Sequence, residues 1–362
     1  MSSKPIVSVV IPSYNHRRFL ERTMESALGQ TFTDLEVVVI DDGSTDGSAD
    51  FLRSRYGSDP RVRIEARENR GAHTTINEAI SLARGDYVAI LNSDDAFAPT
   101  RLERLHEAAR EKGGRFFGFS AVRVVDEAGA PAPSSGPQRY YASVCEKARG
   151  HVAGPHAFLW IGNAAMTTSN FFFGRDVFER VGPFRGLRYT HDWDWALRAS
   201  EVAAVVRLDE PLLDYRVHGA NTIHESNVWK HATEDAFVFG SALARVGLAG
   251  MAELAGCSTT DVMSAMLRNE SLPPVTTLYV LGLGLDAESL ERDLLDGTLE
   301  RAVQALVEEH GHSLDLLQPS EWLEERLVRA RALEREARRH APISRRIARG
   351  ARRFVSRLIP SR

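Results

Sequence analysis

Three short runs of nearly unbroken apolar residues constrain this chain most: "IVSVVIP" at 6–12, "LEVVVID" at 35–41 and "YVAIL" at 87–91. A strand with one wet face alternates apolar and polar residues, whereas a run that is apolar throughout must be covered on both faces. Between the runs lie helical patterns, "RRFLERTMESAL" with Phe19, Met24 and Leu28 at helical spacing, and "GAHTTINEAISLA". A helix through Tyr56, with Ser48 as its expected cap, and a short strand in "RVRIEA" complete the alternation. Strand and helix alternating through short turns predict a doubly wound α/β sheet, whose ligands bind beyond the carboxyl ends of its strands. Three of those ends are polar: "PSYN", "DDGSTD" and "NSDD".

The chain then continues with a helix near 100–112, strand material in "RFFGFSAVRVVDEAGA", and a segment at 131–163 rich in Gly, Pro and His. That segment reads as an irregular, mobile active-site loop. "FFFGRDVFERVGPF" is a strand and a short helix stopped at Gly182-Pro183, "HDWDWALRASEV" a helix, and "AAVVRL" and "LLDYRVHG" two further strands. Helical composition prevails from about Glu225. The expected organisation is an α/β domain over 1–225, divided near residue 100, a helical region over 226–340 and a basic tail over 341–362.

Of 362 residues, 43% are hydrophobic and 26% charged, as in ordinary soluble domains. Two distant cysteines, Cys145 and Cys257, exclude a disulfide framework or thiolate zinc cluster and suit a reducing compartment. Pro12 and Ser13 interrupt the first apolar run, so it reads as a strand rather than a signal peptide. No apolar run approaches the ~20 residues that span a bilayer, and the expected location is cytoplasmic. The net charge of −4 conceals seven arginines and no acid between Ala341 and Arg362, so the remainder is more acidic than the total suggests. Ile343, Ile347, Ala351, Phe354 and Leu358 fall at helical spacing among those arginines. A basic amphipathic helix over 343–359 could lie on an anionic membrane, or be a solvated or partner-binding helix. The acidic body speaks against nucleic acid as a partner.

Asp94 and Asp95 end the fourth strand side by side. Two adjacent carboxylates either sit in solvent or meet something cationic. Here the pattern closely resembles family 2 glycosyltransferases, inverting enzymes of the GT-A fold that use nucleotide-sugar donors. The resemblance rests on "VSVVIPSYNH" (7–16), "VVVIDDGSTDGS" (37–48), "ENRGAHTTINEAI" (68–80), "ARGDYVAILNSDD" (83–95) and "VGPFRG…THDWDWALRAS…YRVHGANT" (181–222), in the family's order.

A nucleotide needs a flat partner for its base and acceptors for its edge. Tyr14 can stack, and Asp41 or Asp42 can accept from a ring N–H or the ribose, although Asp42-Gly43-Ser44 also makes sense as a turn. The resemblance implies a donor site built from Pro12, Tyr14, Asn15, Asp41, Asp42, Asn77, Asn92, Ser93 and Asp94. It implies a Mn²⁺ or Mg²⁺ ion on Asp94 and Asp95, with His218 completing the site if it is not structural, to neutralise the departing diphosphate. Asn92 replaces the family's usual first Asp, and Ile76 stands where an arginine is common. Asp192 matches the general base, its alternative being a helix cap; Asp194 is the second choice, and His191 stands where the family has Glu. His191, Trp193 and Asp194 are expected toward the acceptor, a glycan or lipid-linked hydroxyl, although Trp193 and Trp195 could equally be core.

The rival reading is a nucleotide-sugar-binding scaffold with a decayed site, suggested by Asn92 and His191. A dinucleotide-binding dehydrogenase would show GxGxxG after the first strand, and a P-loop enzyme GxxxxGK[ST]; neither is present. A sugar-1-phosphate nucleotidyltransferase would have a glycine-rich basic loop in place of "PSYNH". A glycosidase has no need of the nucleotide motifs.

Overall fold

In the computed structural model, which describes residues 4–219, 221, 228–268, 287–298 and 301, the apolar runs become the centre of one sheet. Strands β1 (Val7–Ser13), β2 (Leu35–Asp41), β3 (Val62–Ala66) and β4 (Tyr87–Ile90) are parallel, in the order β3-β2-β1-β4. Val7, Val9, Val10, Ile11 and Val37–Ile40 are wholly inaccessible, as a strand covered on both faces requires. Helices α1 (Arg17–Leu28), α2 (Ser48–Tyr56) and α3 (Ala72–Leu82) make the crossovers.

Ser48 does not cap α2. It is the first helical residue, and its N–H and hydroxyl both donate to Asp46 Oδ1, at 3.1 and 2.6 Å. The carboxylate two residues earlier reaches the helix start better than the short hydroxyl does.

Inside the sheet, Glu36 is buried beneath Ser8 and Arg84. The Ser8 hydroxyl donates to Glu36 Oε1 at 2.7 Å, and Arg84 donates its N–H to Oε1 at 2.6 Å and its Nε to Oε2 at 2.8 Å. Burial alone raises the Glu36 pKa, but these donors outweigh it and hold the carboxyl below its ordinary value. Glu36→Gln should therefore cost about 1.5–3 kcal/mol at neutral pH. A carboxyl with a depressed folded pKa contributes fully above its unfolded pKa and loses that contribution as pH falls through the folded one. Thermal melts of wild type and variant should accordingly differ at pH 7 and converge below the usual carboxylate range.

After β4 the chain makes β5 (Ala96–Phe97), α4 (Arg101–Lys112) and β6 (Phe116–Val125). Segment 131–163 is not the irregular loop expected from its composition. It holds α5 (Gly136–Ala148), a 3₁₀ turn at Gly154–His156, and α6 (Ala157–Trp160). Ser135 caps α5 by accepting from Gln138 N–H, and Pro137 sits in the first turn where no donor is needed. Then follow β7 (Phe172–Gly174), α7 (Arg175–Val181), α8 (His191–Ser200) and β8 (Ala204–Arg216). "AAVVRL" and "LLDYRVHG" are one strand, not two. It pairs with β6 in parallel and slips register near Ser120–Val122, where Pro211 cannot donate to the ladder.

The sheet has eight strands in the order β3-β2-β1-β4-β7-β6-β8-β5, with β7 antiparallel to both β4 and β6. The two-residue β5 is too short for any periodicity to reveal. It pairs antiparallel with β8, Ala96 with Asp214 and Phe97 with Leu213, and so brings "NSDD" against "YRVH".

Two compact units divide the chain, 1–225 and 226–362. In the second, α9 (Val228–Ala255) packs with α10 (Thr259–Leu267) and α11 (Ala287–Leu295), and Ser258 and Asp261 form a reciprocal capping box on α10. Contrary to the sequence expectation, Thr233–Ala255, 23 residues long, is apolar enough by composition to cross a membrane, with mean hydropathy 1.4 over an 18-residue window. Of that window 44% is buried, the helix leaves helical geometry at Gly247 (φ 64°, ψ 174°), and core helices of soluble proteins pass the same test. The arginine-rich segment 343–359 lies outside the described residues.

Candidate active site

The polar strand ends converge at one edge of the sheet. β1 delivers Pro12, then Tyr14, 47% exposed, and Asn15 in the left-handed region at φ 54°. Asn15 ties this end to the next: its N–H donates to Ser44 Oγ at 2.8 Å and its Oδ1 accepts from Thr45 N–H at 2.8 Å.

The two acids ending β2 have different surroundings. Asp42 accepts from Arg70 N–H at 2.8 Å, from Gly71 N–H at 2.9 Å and from the Arg67 guanidinium, which pins the 67–71 loop and the start of α3. Asp41 Oδ1 accepts from Ser44 N–H at 2.9 Å, while Oδ2 is buried without a hydrogen-bond partner. Gly43 between them and the turn has φ +80°, and a Cβ there would come 2.8 Å from Asn69 N.

Asp94 and Asp95 diverge, which resolves their repulsion. Asp95 spends both oxygens inside the protein: Oδ1 accepts from Arg216 N–H at 2.9 Å and Oδ2 from the Ser169 hydroxyl at 2.6 Å. Asp94 Oδ2 lies 3.0 Å from His218 Nε2, and Oδ1 lies 4.0 Å from His16 Nδ1. His16, Asp94 and His218 present one ligand atom each, all within 4.8 Å of one another. Ser93 Oγ, 2.8 Å from His16 Nδ1, fixes that ring. Burial, then the Asp94 charge, raises the Asp95 pKa well above the ordinary carboxylate value. Burial also works against Asp94, but the His218 hydrogen bond and the neighbouring imidazoles win and lower its pKa. Burial lowers the pKa of His16, which favours the neutral ring that ligates metals.

On α8, Asp192 Oδ2 accepts from Asn163 Nδ2 at 2.9 Å and Oδ1 from Trp193 N–H at 2.7 Å. Burial pushes the Tyr215 hydroxyl upward, and the Asp95, Asp94 and Asp192 charges push it further.

The sequence profile described as glycosyl transferase family 2 matches residues 8–193, from β1 into the first turn of α8. The chain belongs to glycosyl transferase family 2. The chondroitin synthase of Escherichia coli is 30% identical over 246 residues, 67% of this chain and 33% of that protein. The putative teichuronic acid biosynthesis glycosyltransferase TuaG of Bacillus subtilis is 38% identical over 129 residues, 35% of this chain and 51% of that one. The chain thus spans a third to a half of the length of these relatives. The crystal structure of S. aureus TarS 1–349 in complex with UDP-GlcNAc superposes with a TM-score of 0.54 at 17% identity, covering 83% of this chain and 87% of that one. That likeness confirms the GT-A fold that the strand order already outlines.

Several residues expected at the site are engaged in contacts within the protein. Asn77 clasps the Phe184 backbone from both sides, Nδ2 to its oxygen at 2.9 Å and Oδ1 from its N–H at 2.8 Å. Asn92 is turned to the Thr168–Asn170 turn, donating to Thr167 Oγ1 and accepting from Thr168 Oγ1. Asp95, placed with the metal by sequence, stands apart from the His16–Asp94–His218 group and buttresses β8. Asp194 is fully buried between Arg185 and Arg198, with N–O distances of 2.9 and 2.8 Å. Trp193 and Trp195 are core: Trp193 Nε1 donates to Leu159 O, and Trp195 packs among Phe171, Phe173 and Phe184. His191 opens α8, half-buried and edge-on to Phe184. Two residues were missed by sequence reading. His16 ended a quoted motif but served there only as spacing, and Asn163 lay in the segment expected to be loop.

Proposed function

We propose that this chain is an inverting glycosyltransferase that moves a sugar from a nucleoside-diphosphate donor, a UDP-sugar before others, to an acceptor hydroxyl in cell-surface polysaccharide or glycoconjugate synthesis. The observation that carries the reading is the His16–Asp94–His218 group, one ligand atom from each within 4.8 Å of the others, at the strand ends where β1 and β2 also deliver Tyr14 and Asp41. The names of the relatives, chondroitin synthase and a teichuronic acid glycosyltransferase, support a polysaccharide acceptor, and the proposed station is the cytoplasmic face of the membrane.

Tyr14 offers its exposed ring to the base, and the unpartnered Asp41 Oδ2 accepts from the base edge or ribose. His16, Asp94 and His218 would hold a divalent cation; two imidazoles and one carboxylate suit Mn²⁺ better than Mg²⁺, which prefers oxygen throughout. When bound, the ion supplies Lewis-acid neutralisation of charge on the departing diphosphate. Asp192 takes the acceptor hydroxyl's proton as that oxygen attacks the anomeric carbon, and the new bond forms opposite the one that breaks.

The test is a panel of UDP-, GDP- and dTDP-sugars with Mn²⁺, following nucleotide release with and without chelator. Metal-dependent release from at least one donor is expected. Donor binding without turnover would favour the scaffold reading instead. Asp41→Ala should weaken UDP binding about tenfold with a smaller change in stability, because inside the protein only the Ser44 N–H loses its acceptor. Asp42→Ala should show the reverse, a clear loss of stability, because three donors lose their acceptor; UDP titration and thermal melts separate the two.

A further inference from the structure

We propose that Asn163 is the positioning residue of the base, holding the Asp192 carboxylate through its side-chain amide; this rests on the reading of Asp192 as base. Asn163 Nδ2 donates to Asp192 Oδ2 at 2.9 Å. Only the NH₂ end can donate to a carboxylate, so this bond also decides which way the amide is turned. Its other end, Oδ1, is buried without a hydrogen-bond partner.

That orphan is informative by comparison within the molecule. Asn77, Asn92 and Asn170 also turn their amides inward, and each uses both ends. Among the described residues, Asn163 is the asparagine whose amide oxygen is buried and unpaired. A buried polar atom left unpaired is unfavourable, and an asparagine selected for stability alone would satisfy both ends as its neighbours do. The structure tolerates this because the amide is committed to Asp192.

The backbone that carries it is itself anchored. Asn163 N–H donates to the Tyr140 hydroxyl of α5 at 2.8 Å. At Gly162 a Cβ would come 2.6 Å from Val144 Cγ2 and 2.8 Å from the Tyr140 oxygen, so the 162–163 turn lies directly on α5. The helix between β6 and β7 thus sets the place of a side chain on α8. With Trp193 N–H on Oδ1 and Asn163 on Oδ2, the carboxylate is gripped at both oxygens, as a base aimed at one hydroxyl requires.

The experiment compares Asn163→Ala and Asn163→Asp, alone and combined with Asp192→Asn, in the full chain with Mn²⁺ and the sugar nucleotide of the panel that turns over fastest. Both single variants should retain cooperative melting, keep the donor KM within about twofold, and lose about 10–100-fold in kcat, the scale of a misplaced catalytic group. Asn163→Asp keeps the volume but sets a second carboxyl against Asp192 in place of the NH₂, so wild-type kcat there would overturn the proposal. Adding Asn163→Ala to Asp192→Asn should cost less than about twofold further, because the role passes through Asp192. A full additional loss, or a raised KM at unchanged kcat, also overturns it. A wild-type protein inactive with every donor removes the base reading and this role together; an active wild type with an unimpaired Asn163→Ala removes this role alone.

Discussion

Replacing Asp94 with alanine should abolish stoichiometric Mn²⁺ binding and lower metal-dependent nucleotide release by at least about 10³-fold. Asp94 is the one carboxylate in the group of three, and it lies between two imidazoles, 3.0 Å from one and 4.0 Å from the other. Removing it leaves two imidazoles and no negative charge to bring a divalent cation to the diphosphate. Metal charge stabilisation is worth several kcal/mol, and each 1.36 kcal/mol is a factor of ten in rate, so three decades is a conservative figure. His16→Ala and His218→Ala should weaken Mn²⁺ binding by at least about tenfold each. Asp95→Asn makes the control, one residue away. Both Asp95 oxygens are held by Arg216 N–H and the Ser169 hydroxyl, so that variant should melt at a lower temperature yet still bind one Mn²⁺. Calorimetric titration with MnCl₂ reads all four; retained affinity in Asp94→Ala with loss in Asp95→Asn would reverse the assignment.

Asp192→Asn should reduce turnover by about 10³-fold at an unchanged donor KM, within the range that general-base catalysis spans. Asparagine preserves shape and accepts one of the two bonds that hold the side chain, so the loss reports basicity more than packing. The competing acid is two residues on. Asp194→Asn should act on stability instead, because Asp194 is buried with Arg185 and Arg198 on its two oxygens. Breaking such a pair from one side costs about 3–5 kcal/mol, since it strands a buried cation. A folded, slow Asp194→Asn beside a fully active Asp192→Asn would move the base to Asp194.

Much of the fold was legible because burial on both faces leaves a mark that single residues cannot hide: "VSVVI" and "EVVVI" have nowhere to go except the middle of a parallel sheet. The long helices showed through their spacing for the same reason. What escaped was structure made by few residues or by local capping. β5 has two residues and no period. α5 was concealed by a segment rich in Gly and Pro, although Ser135 and Pro137 are the residues that begin it. The site divides similarly. Motifs pointed to Asp94, Asp192 and His218, but adjacency in sequence suggested that Asp94 and Asp95 act together. A chain that turns at a strand end points consecutive side chains to different places, so Asp95 went to Arg216 and Ser169 while Asp94 met His16, 78 positions earlier in the numbering.

The sequence alone determined the family, the parallel core of the sheet and the three polar strand ends where chemistry gathers, since these follow from which residues must avoid water and which cannot. Only the tertiary structure decided how labour is divided among neighbours: Asp41 left with an unpaired oxygen and Asp42 fully engaged, Asp94 with the histidines and Asp95 in the scaffold, Asp192 held by Asn163 and Asp194 locked between arginines. Each choice depends on which donors arrive from distant parts of the chain. Pairing of β5 with β8 and docking of the 162–163 turn on α5 bring them there, and no local pattern records either contact.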